Sequence, residues 1–351
     1  MVRDRRRFLQ AVSTAGLAAV AGCVGGFGDE ETESAATVGM IYSTGGLGDN
    51  SFNDMAQQGV MAADEEFGVS YDETEPDTEG DFDSIQRDFA ESGEYDLITC
   101  VGFQQEDPLA DNAPEYPEQN FIIIDAVVED ADNVRSYVFG EHEGSFQVGH
   151  LAGLLTTEEF EAGDAATDPD EATVGFVGGI EAPLIRKFEA GFVAGVEHAN
   201  PDVEVVTSYV GDFNDTAGGR ETALSMYQDQ GADIVYHAAG ATGVGVFQAA
   251  ESEGRLAIGV DDDQSVSEED YADVIVASMV KGVDEAVIDA VADVIDDEFS
   301  GGVEELGLAD DGVGVAYGQS IGDAVPDEIV SALEESEAAI VDGEIDVPEQ
   351  P

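Results

Sequence analysis

The chain has 351 residues, of which 79 are Asp or Glu and only 11 are Lys or Arg, giving a formal charge of −68. That much negative charge repels phosphate and has no cations to displace its counterions, which excludes nucleic acid as a partner and disfavours an anionic membrane surface. Disorder is excluded as well, because 43% of the residues are hydrophobic and fall in periodic runs, enough for an α/β protein of two lobes.

The first residues read as an address. Arg5-Arg6-Arg7-Phe8-Leu9 precedes an apolar, small-residue run from Ala11 to Ala21 and then Gly22-Cys23. Twin arginines before Phe-Leu resemble the signal of the twin-arginine export route, and Val20-Ala21-Gly22-Cys23 resembles a lipobox. The run is too short to span about 30 Å of hydrocarbon as a helix. The expectation is a signal peptide over residues 1–22, a lipidated Cys23, and a flexible acidic tether to residue 36. Cleavage before Cys23 removes four arginines and one aspartate, leaving about −71 by formal count. Cys100 is then the only thiol, so no disulfide forms within the mature chain, and its place in the apolar run Leu97 to Val101 reads as core.

Short β-branched runs follow, separated by stretches with apolar residues at helical spacing. Strands are expected at Thr37–Tyr42, Leu97–Val101, Phe121–Asp125, Val134–Phe139, Thr173–Val177, Glu204–Tyr209, Ile234–His237, Ala257–Val260, Val274–Ser278 and Val313–Ala316. Helices are expected at Phe52–Phe67, Asp83–Ser92, Ser145–Leu155, Arg186–Ala199, Ala217–Gln230, Gly245–Ser252, Lys281–Phe299 and Asp327–Asp342. Glu73–Gly80 and Glu161–Glu171 read as surface loops. The alternation means parallel sheets of βαβ units, and about ten strands exceed one ordinary sheet. Two doubly wound lobes facing one another across a cleft are the expected α/β architecture, with ligands at the carboxyl ends of the strands.

Enzyme motifs are missing. There is no GxxxxGK[ST] loop, GxSxG elbow, CxxC pair or HExxH helix, and His142, His150, His198 and His237 share no metal-ligand spacing. Asp261-Asp262-Asp263 has little specificity as a calcium site in so acidic a chain. No catalytic residue, metal site or cofactor is therefore assigned. Polar and aromatic residues do gather at expected strand ends: Asp49 to Asp54, Asp125, Gly211-Asp212-Phe213, Asp261 and Lys281. Carboxylates are bidentate acceptors for a hydroxyl-rich ligand, and Phe52 and Phe213 offer aromatic faces to a flat base. Lysine is nearly abolished, with Lys187 and Lys281 the only two, so each is expected to hold a specific place.

Several segments together resemble the basic membrane protein family, lipid-anchored substrate-binding proteins of ABC transporters, several of which bind purine nucleosides. They are Val38-Gly39-Met40, Gly48-Asp49-Asn50-Ser51-Phe52-Asn53, Gly178-Gly179, Phe188 to Gly195, Ile234 to Gly240, Ile258 to Gln264 and Ser278-Met279-Val280-Lys281. The resemblance runs from about Val38 to the C-terminus. It implies the type I periplasmic-binding-protein fold, with three hinge crossings, lobe 1 at 37–142 plus 279–300 and lobe 2 at 143–278 plus 301–345. It also implies a sandwich of Phe52 and Phe213 around a base addressed by Asp49 and Asn53. Sugar hydroxyls would lie on Asp125 and Asp261, with Gly240 offering backbone and Lys281 completing the pocket. Asn50 stands where the family often has lysine, and Gly211-Asp212-Phe213 replaces the commoner Gly-Ser-Phe.

The expected function is a monomeric cell-surface lipoprotein that captures a nucleoside, purine by preference, by hinge closure. It would hand the ligand to an ABC permease and its ATPase, touching the membrane only through the lipid. Rivals are a flavin or sugar in the same cleft, a ligand-sensing receptor domain, and a nucleoside hydrolase, for which no acid/base pair is found. Carboxylates spread along the whole chain point to a source living in concentrated salt, where the Debye length falls to about 3 Å. The expected outcome is a melting midpoint that drops as molar salt is diluted to tens of millimolar, because carboxylate repulsion becomes unscreened. A thermal melt series checks this, and a midpoint indifferent to salt contradicts it.

Overall fold

The computed structural model describes residues 34–351. The twin-arginine motif, Cys23 and the tether as far as residue 33 lie outside the described residues. The elements run β1 (Thr37–Ile41), α1 (Phe52–Phe67), β2 (Ser70–Thr74), α2 (Phe82–Ser92), β3 (Leu97–Val101), α3 (Glu106–Asn112), β4 (Asn120–Ile124) and β5 (Val134–Phe139). Next come α4 (Glu141–Leu155), the hairpin β6 (Glu161–Ala162) and β7 (Ala165–Ala166), β8 (Thr173–Gly178), α5 (Pro183–Ala199), β9 (Glu204–Tyr209), α6 (Thr216–Asp229), β10 (Ala232–Ala238) and α7 (Val244–Glu253). The chain closes with β11 (Leu256–Asp261), α8 (Gln264–Ser267), β12 (Ile275–Lys281), α9 (Val283–Ile295), β13 (Gly302–Leu306), β14 (Val313–Tyr317) and α10 (Asp327–Val341).

Two six-stranded sheets form the body, ordered β13-β5-β4-β3-β1-β2 and β14-β12-β11-β10-β8-β9. Every pairing in the first is parallel, and in the second only β12 with β14 is antiparallel. Central strands are apolar on both faces because helices cover both sides of each sheet. Phe121, Ile122, Ile123 and Ile124 of β4 are all fully buried, and Cys100 of β3 is buried as expected.

The chain passes between the sheets three times: from β5 into α4, from β12 into α9, and from β13 to β14. These crossings are tied to one another. The Gly140 amide donates to the Leu306 carbonyl at 2.9 Å, the Leu308 amide to Glu143 Oε2 at 2.8 Å, and the Gly282 amide to the Gly312 carbonyl at 3.0 Å.

Strand β2 takes in Glu73 and Thr74, the start of the stretch expected as a surface loop, and β13 lies where no strand is expected. Both are edge strands, so one face is wet and acidic residues such as Asp72, Glu73, Glu304 and Glu305 replace the alternating apolar pattern. Such charges also discourage edge-to-edge pairing with another chain. Because β13 pairs in parallel with β5, the first lobe extends past residue 300, where the sequence-based division placed 301 onward in the second. Strand β12 likewise stays in the second sheet through Lys281, which pairs with Val313 of β14, beyond the expected boundary at 278. The stretch expected as a loop at Glu161–Glu171 carries the hairpin β6–β7.

Helices α4 and α5 of the second lobe cross backbone to backbone. A Cβ built on Gly149 would stand 2.2 Å from the Phe192 carbonyl oxygen, one on Gly191 2.1 Å from that of His142, and one on Gly195 2.1 Å from that of Phe146. Glycine is required at these crossings because the opposing atoms are backbone and cannot swing away. The approach brings the N-terminal half of α5 beside the start of α4, which matters for the site. We expect Gly195→Ala to lower stability by at least about 1–3 kcal/mol through overpacking. Chemical denaturation in molar salt checks this, and an unchanged midpoint would mean the helices separate without cost.

Candidate functional site

The carboxyl ends of both sheets open onto one cavity between the lobes, of about 600 Å³ including its mouth. From the first lobe come Ser43 after β1, Asp49, Phe52 and Asn53 at the start of α1, Gly102 to Gln104 after β3, and Asp125 after β4. From the second come Leu184, Ile185 and Phe188 on α5, Phe213 after β9, Gly240 after β10, Asp261 ending β11 and Lys281 ending β12. All eight residues singled out from sequence as ligand-binding (Asp49, Phe52, Asn53, Asp125, Phe213, Gly240, Asp261 and Lys281) line this cavity.

Lys281 organises it. Its ammonium is buried, 2.5 Å from Asp125 Oδ1 and 3.2 Å from Glu141 Oε1. It also lies 5.1 Å from the centroid of the Phe52 ring, 4.9 Å from Phe139 and 5.7 Å from Phe188. Burial alone would neutralise a lysine, yet Asp125, Glu141 and Asp261 together hold it protonated and push its pKa up. Lys187 on α5 reaches the other oxygen of Glu141 at 2.9 Å and donates to the Phe139 carbonyl at 2.6 Å. The two lysines of the chain therefore converge on one buried carboxylate at the first hinge crossing.

The carboxylates differ in state. For Glu141, burial favours protonation, but Lys281 and Lys187 outweigh it and lower its pKa. Asp125 goes the other way: burial, with Glu141 and Asp261 nearby, outweighs the attraction of Lys281 and raises it. One ammonium shared among three acids cannot fully compensate each, so Lys281 is raised while Asp125, though drawn down by the ion pair, stays above its ordinary value. Asp261 is raised by burial despite Lys281 and despite the Ser51 hydroxyl, which donates to Oδ2 at 2.5 Å. Asp125 and Asp261 both adopt left-handed backbone, φ 71° and 66°, at the ends of equivalent strands in the two sheets. Aspartate tolerates this better than most residues.

Asp49 and Asn53 are more occupied than expected. Asp49 Oδ1 accepts from the amides of Ser51 and Asp54, and Oδ2 from the amide and side chain of Asn53, at 2.9–3.2 Å. Burial raises Asp49 to about 6 despite these donors. The Asn53 side-chain oxygen accepts from the Ser43 amide and hydroxyl, each at 3.0 Å. Asp49 thus caps the start of α1, and Asn53 ties that cap to Ser43, while both border the cavity.

Phe213 is set by its surroundings. Its carbonyl accepts from the Thr242 amide at 3.0 Å, and its ring lies against Gly179, where a Cβ would stand 2.3 Å from a ring carbon. Phe52 approaches from the first lobe, so each lobe lends the cavity one ring.

Sequence reasoning did not place Glu141, Leu184, Ile185 or Phe188 in the site. The last three share the first turns of α5, which opens after β8, and helices that follow a strand end present their opening turns to the cleft. That position was the available signal. Glu141 carried none, being one acid among 79.

Comparison with known proteins agrees with this architecture. Residues 36–351 match the family described as ABC transporter substrate-binding protein PnrA-like. A Pyrococcus abyssi protein named as an uncharacterized lipoprotein is 35% identical over 342 residues, covering 90% of this chain and 81% of its own. The Lactococcus lactis protein named as an ABC transporter nucleoside-binding protein is 30% identical over 364 residues, covering 97% of each chain. Among solved structures, an ABC transporter solute-binding protein from Aeropyrum pernix superposes with a TM-score of 0.79 at 31% identity, over 89% of this chain and 94% of its own. The fold is that of type I periplasmic binding proteins.

The raised acids make stability depend on pH. Asp49 and Asp233 are both lifted by burial from 3.8 to about 6, and Asp125 and Asp261 are lifted too. An acid with a raised folded pKa binds more protons folded than unfolded, so its contribution favours folding at low pH and is lost as pH rises. The window for Asp49 and Asp233 runs from about pH 4 to 6. A tenfold change in proton affinity is worth about 1.4 kcal/mol, so Asp49 contributes on the order of 2–3 kcal/mol. Glu141, with its lowered pKa, opposes this only below its ordinary range, but burial holds His150 and His237 at about 4, and these oppose it between about pH 4 and 6.5. In molar salt we therefore expect the melting midpoint of Asp49→Asn to gain on that of the parent as pH rises from 5 to 7.5. A difference between the two midpoints that does not change with pH would contradict the assignment.

Proposed function

The chain belongs to the PnrA-like family of ABC transporter substrate-binding proteins, and on that premise we propose that its ligand is a nucleoside, purine by preference. The protein would be exported by the twin-arginine route and anchored through a lipid on Cys23, delivering the nucleoside to a permease and its ATPase. The observation that carries this reading is the pairing of two aromatic rings, Phe52 and Phe213 from opposite lobes, with buried carboxylates in a single cavity.

Each part of such a ligand has a match. A flat base fills the space between the rings, where stacking geometry is available that an aliphatic residue cannot give. Asn53 keeps one amide hydrogen beyond the one given to Asp49, and that donor suits a ring nitrogen or carbonyl. Ribose hydroxyls are donors and find acceptors on Asp125 and on the Asp261 oxygen that Ser51 does not occupy. A phosphate has no place: among the described residues Lys281 is the one cation bordering the cavity, and its charge is already spent on Asp125 and Glu141. The reading is therefore a nucleoside and not a nucleotide.

The ligand touches both lobes, so it stabilises their closed arrangement by its differential affinity for that state. The closed surface is what a permease would recognise.

Mass spectrometry of small molecules released from protein purified in high salt tests the ligand class, a nucleoside being expected. Calorimetric titration with adenosine, guanosine, inosine and their free bases tests the pocket. Phe213→Ala should cost about 1–3 kcal/mol, by analogy with base stacking on aromatic side chains. Asp261→Ala should cost a comparable amount and weaken a ribonucleoside more than its base, because ligand hydroxyls lose their acceptor. Folded variants that bind like the parent would overturn the assignment of the cleft.

A further inference from the structure

Among the described residues, and apart from the contacts of Lys281, four hydrogen bonds join the lobes outside the hinge, all made by two consecutive residues just before α1. Asn50 Nδ2 donates to Glu268 Oε1 at 2.8 Å, and the Asn50 carbonyl accepts from Gln264 Nε2 at 3.0 Å and Ser267 Oγ at 3.4 Å. Ser51 Oγ donates to Asp261 Oδ2 at 2.5 Å. Asn50 and Ser51 belong to the first lobe, and residues 261–268 to the second.

Each half of this contact is braced within its own lobe. In the first, Asp54 accepts from the amides of Gly48 and Asn50 at 2.7 and 2.9 Å, while Asp49 accepts from the Ser51 amide at 3.1 Å. Asn50 sits in left-handed backbone at φ 47°, which asparagine adopts more readily than other side chains. In the second lobe, Gln264 accepts from the Val260 amide at 2.9 Å, its own amide donates to Ser278 Oγ at 3.1 Å, and Asp263 accepts from the amide and hydroxyl of Ser265. Two preorganised surfaces that meet lose little entropy on meeting.

We propose that Asn50 and Ser51 form a latch that holds the lobes together in the ligand-free protein, with Ser51 acting as the positioning residue for Asp261. The latch goes beyond the nucleoside reading and does not depend on the ligand's identity. It has two consequences. Closure gains hydrogen bonds that no ligand supplies, so the closed state is well populated before binding. Asp261 is oriented by a hydroxyl from the opposite lobe, so this acceptor is complete only when the cleft is shut. Release of a ligand then requires the latch to break, and the latch acts on the dissociation rate.

The test uses the full chain in molar salt. Asn50→Gly removes the side-chain donor yet keeps the left-handed backbone comfortable, and Ser51→Ala removes the hydroxyl. Small-angle X-ray scattering without ligand should show the parent closed and the double variant with a larger radius of gyration. The expected rise in the open-to-closed ratio is roughly tenfold, equivalent to about 1.4 kcal/mol. Glu268→Ala attacks the same bond from the other lobe and should reproduce the Asn50→Gly effect without adding to it. With adenosine as the probe, dissociation should accelerate roughly tenfold and association should accelerate as well, because adenosine enters only the open cleft and the open fraction has risen; general loosening of the fold would not speed association. A parent that already scatters as open, or a folded double variant with the parent's curve, overturns the latch. If adenosine binds neither protein, the ligand assignment fails while the scattering still decides the latch.

Discussion

A lysine ammonium taken fully out of water must be surrounded by carboxylates or give up its charge, and this constraint governs the centre of the molecule. Lys281 ends β12 at the second hinge crossing, Asp125 ends a strand of the other sheet, and Glu141 opens α4 at the first crossing. Satisfying one cation therefore brings together both lobes and two of the three connections. Three aromatic rings complete the shell, and they remove water while offering their negative faces to the charge. Removing either partner would leave a buried charge uncompensated, which costs far more than the pair is worth relative to apolar packing.

That charge cluster depends on packing elsewhere. Lys187 reaches Glu141 because α4 and α5 touch backbone to backbone over Gly149, Gly191 and Gly195. A methyl group at any of these would push α5 outward and withdraw Lys187 from both Glu141 and the Phe139 carbonyl at the hinge. Steric closeness at one end of the helix pair is thus linked to electrostatic balance at the other.

The extreme acidity of the chain divides into two regimes. Most carboxylates lie at the surface, where salt screens them and no individual partner is required. A few lie inside, where screening does not reach and each must be answered by a specific donor: Asp49 by the start of α1, Asp233 by Thr156 and the Asp168 amide, Asp125 and Glu141 by lysine. The chain keeps lysine only where an interior carboxylate needs it.

How far this was legible in the sequence follows from the range of each interaction. Period-two and helical patterns are local, so the buried strands and main helices were readable, as was the alternation that implies parallel sheets with ligand residues at their carboxyl ends. All eight expected site residues border the cavity because strand ends are local features too. Edge strands β2 and β13 were not readable, since strands half exposed to water need no apolar pattern. The linking of Lys187 and Lys281 through Glu141, the occupation of Asp49 by its own helix, and the meeting of Asn50 and Ser51 with residues 261–268 were decided only by the tertiary structure. They join positions up to 218 residues apart, and in a chain with 79 acids nothing in the order of residues tells which carboxylate is buried beside which donor.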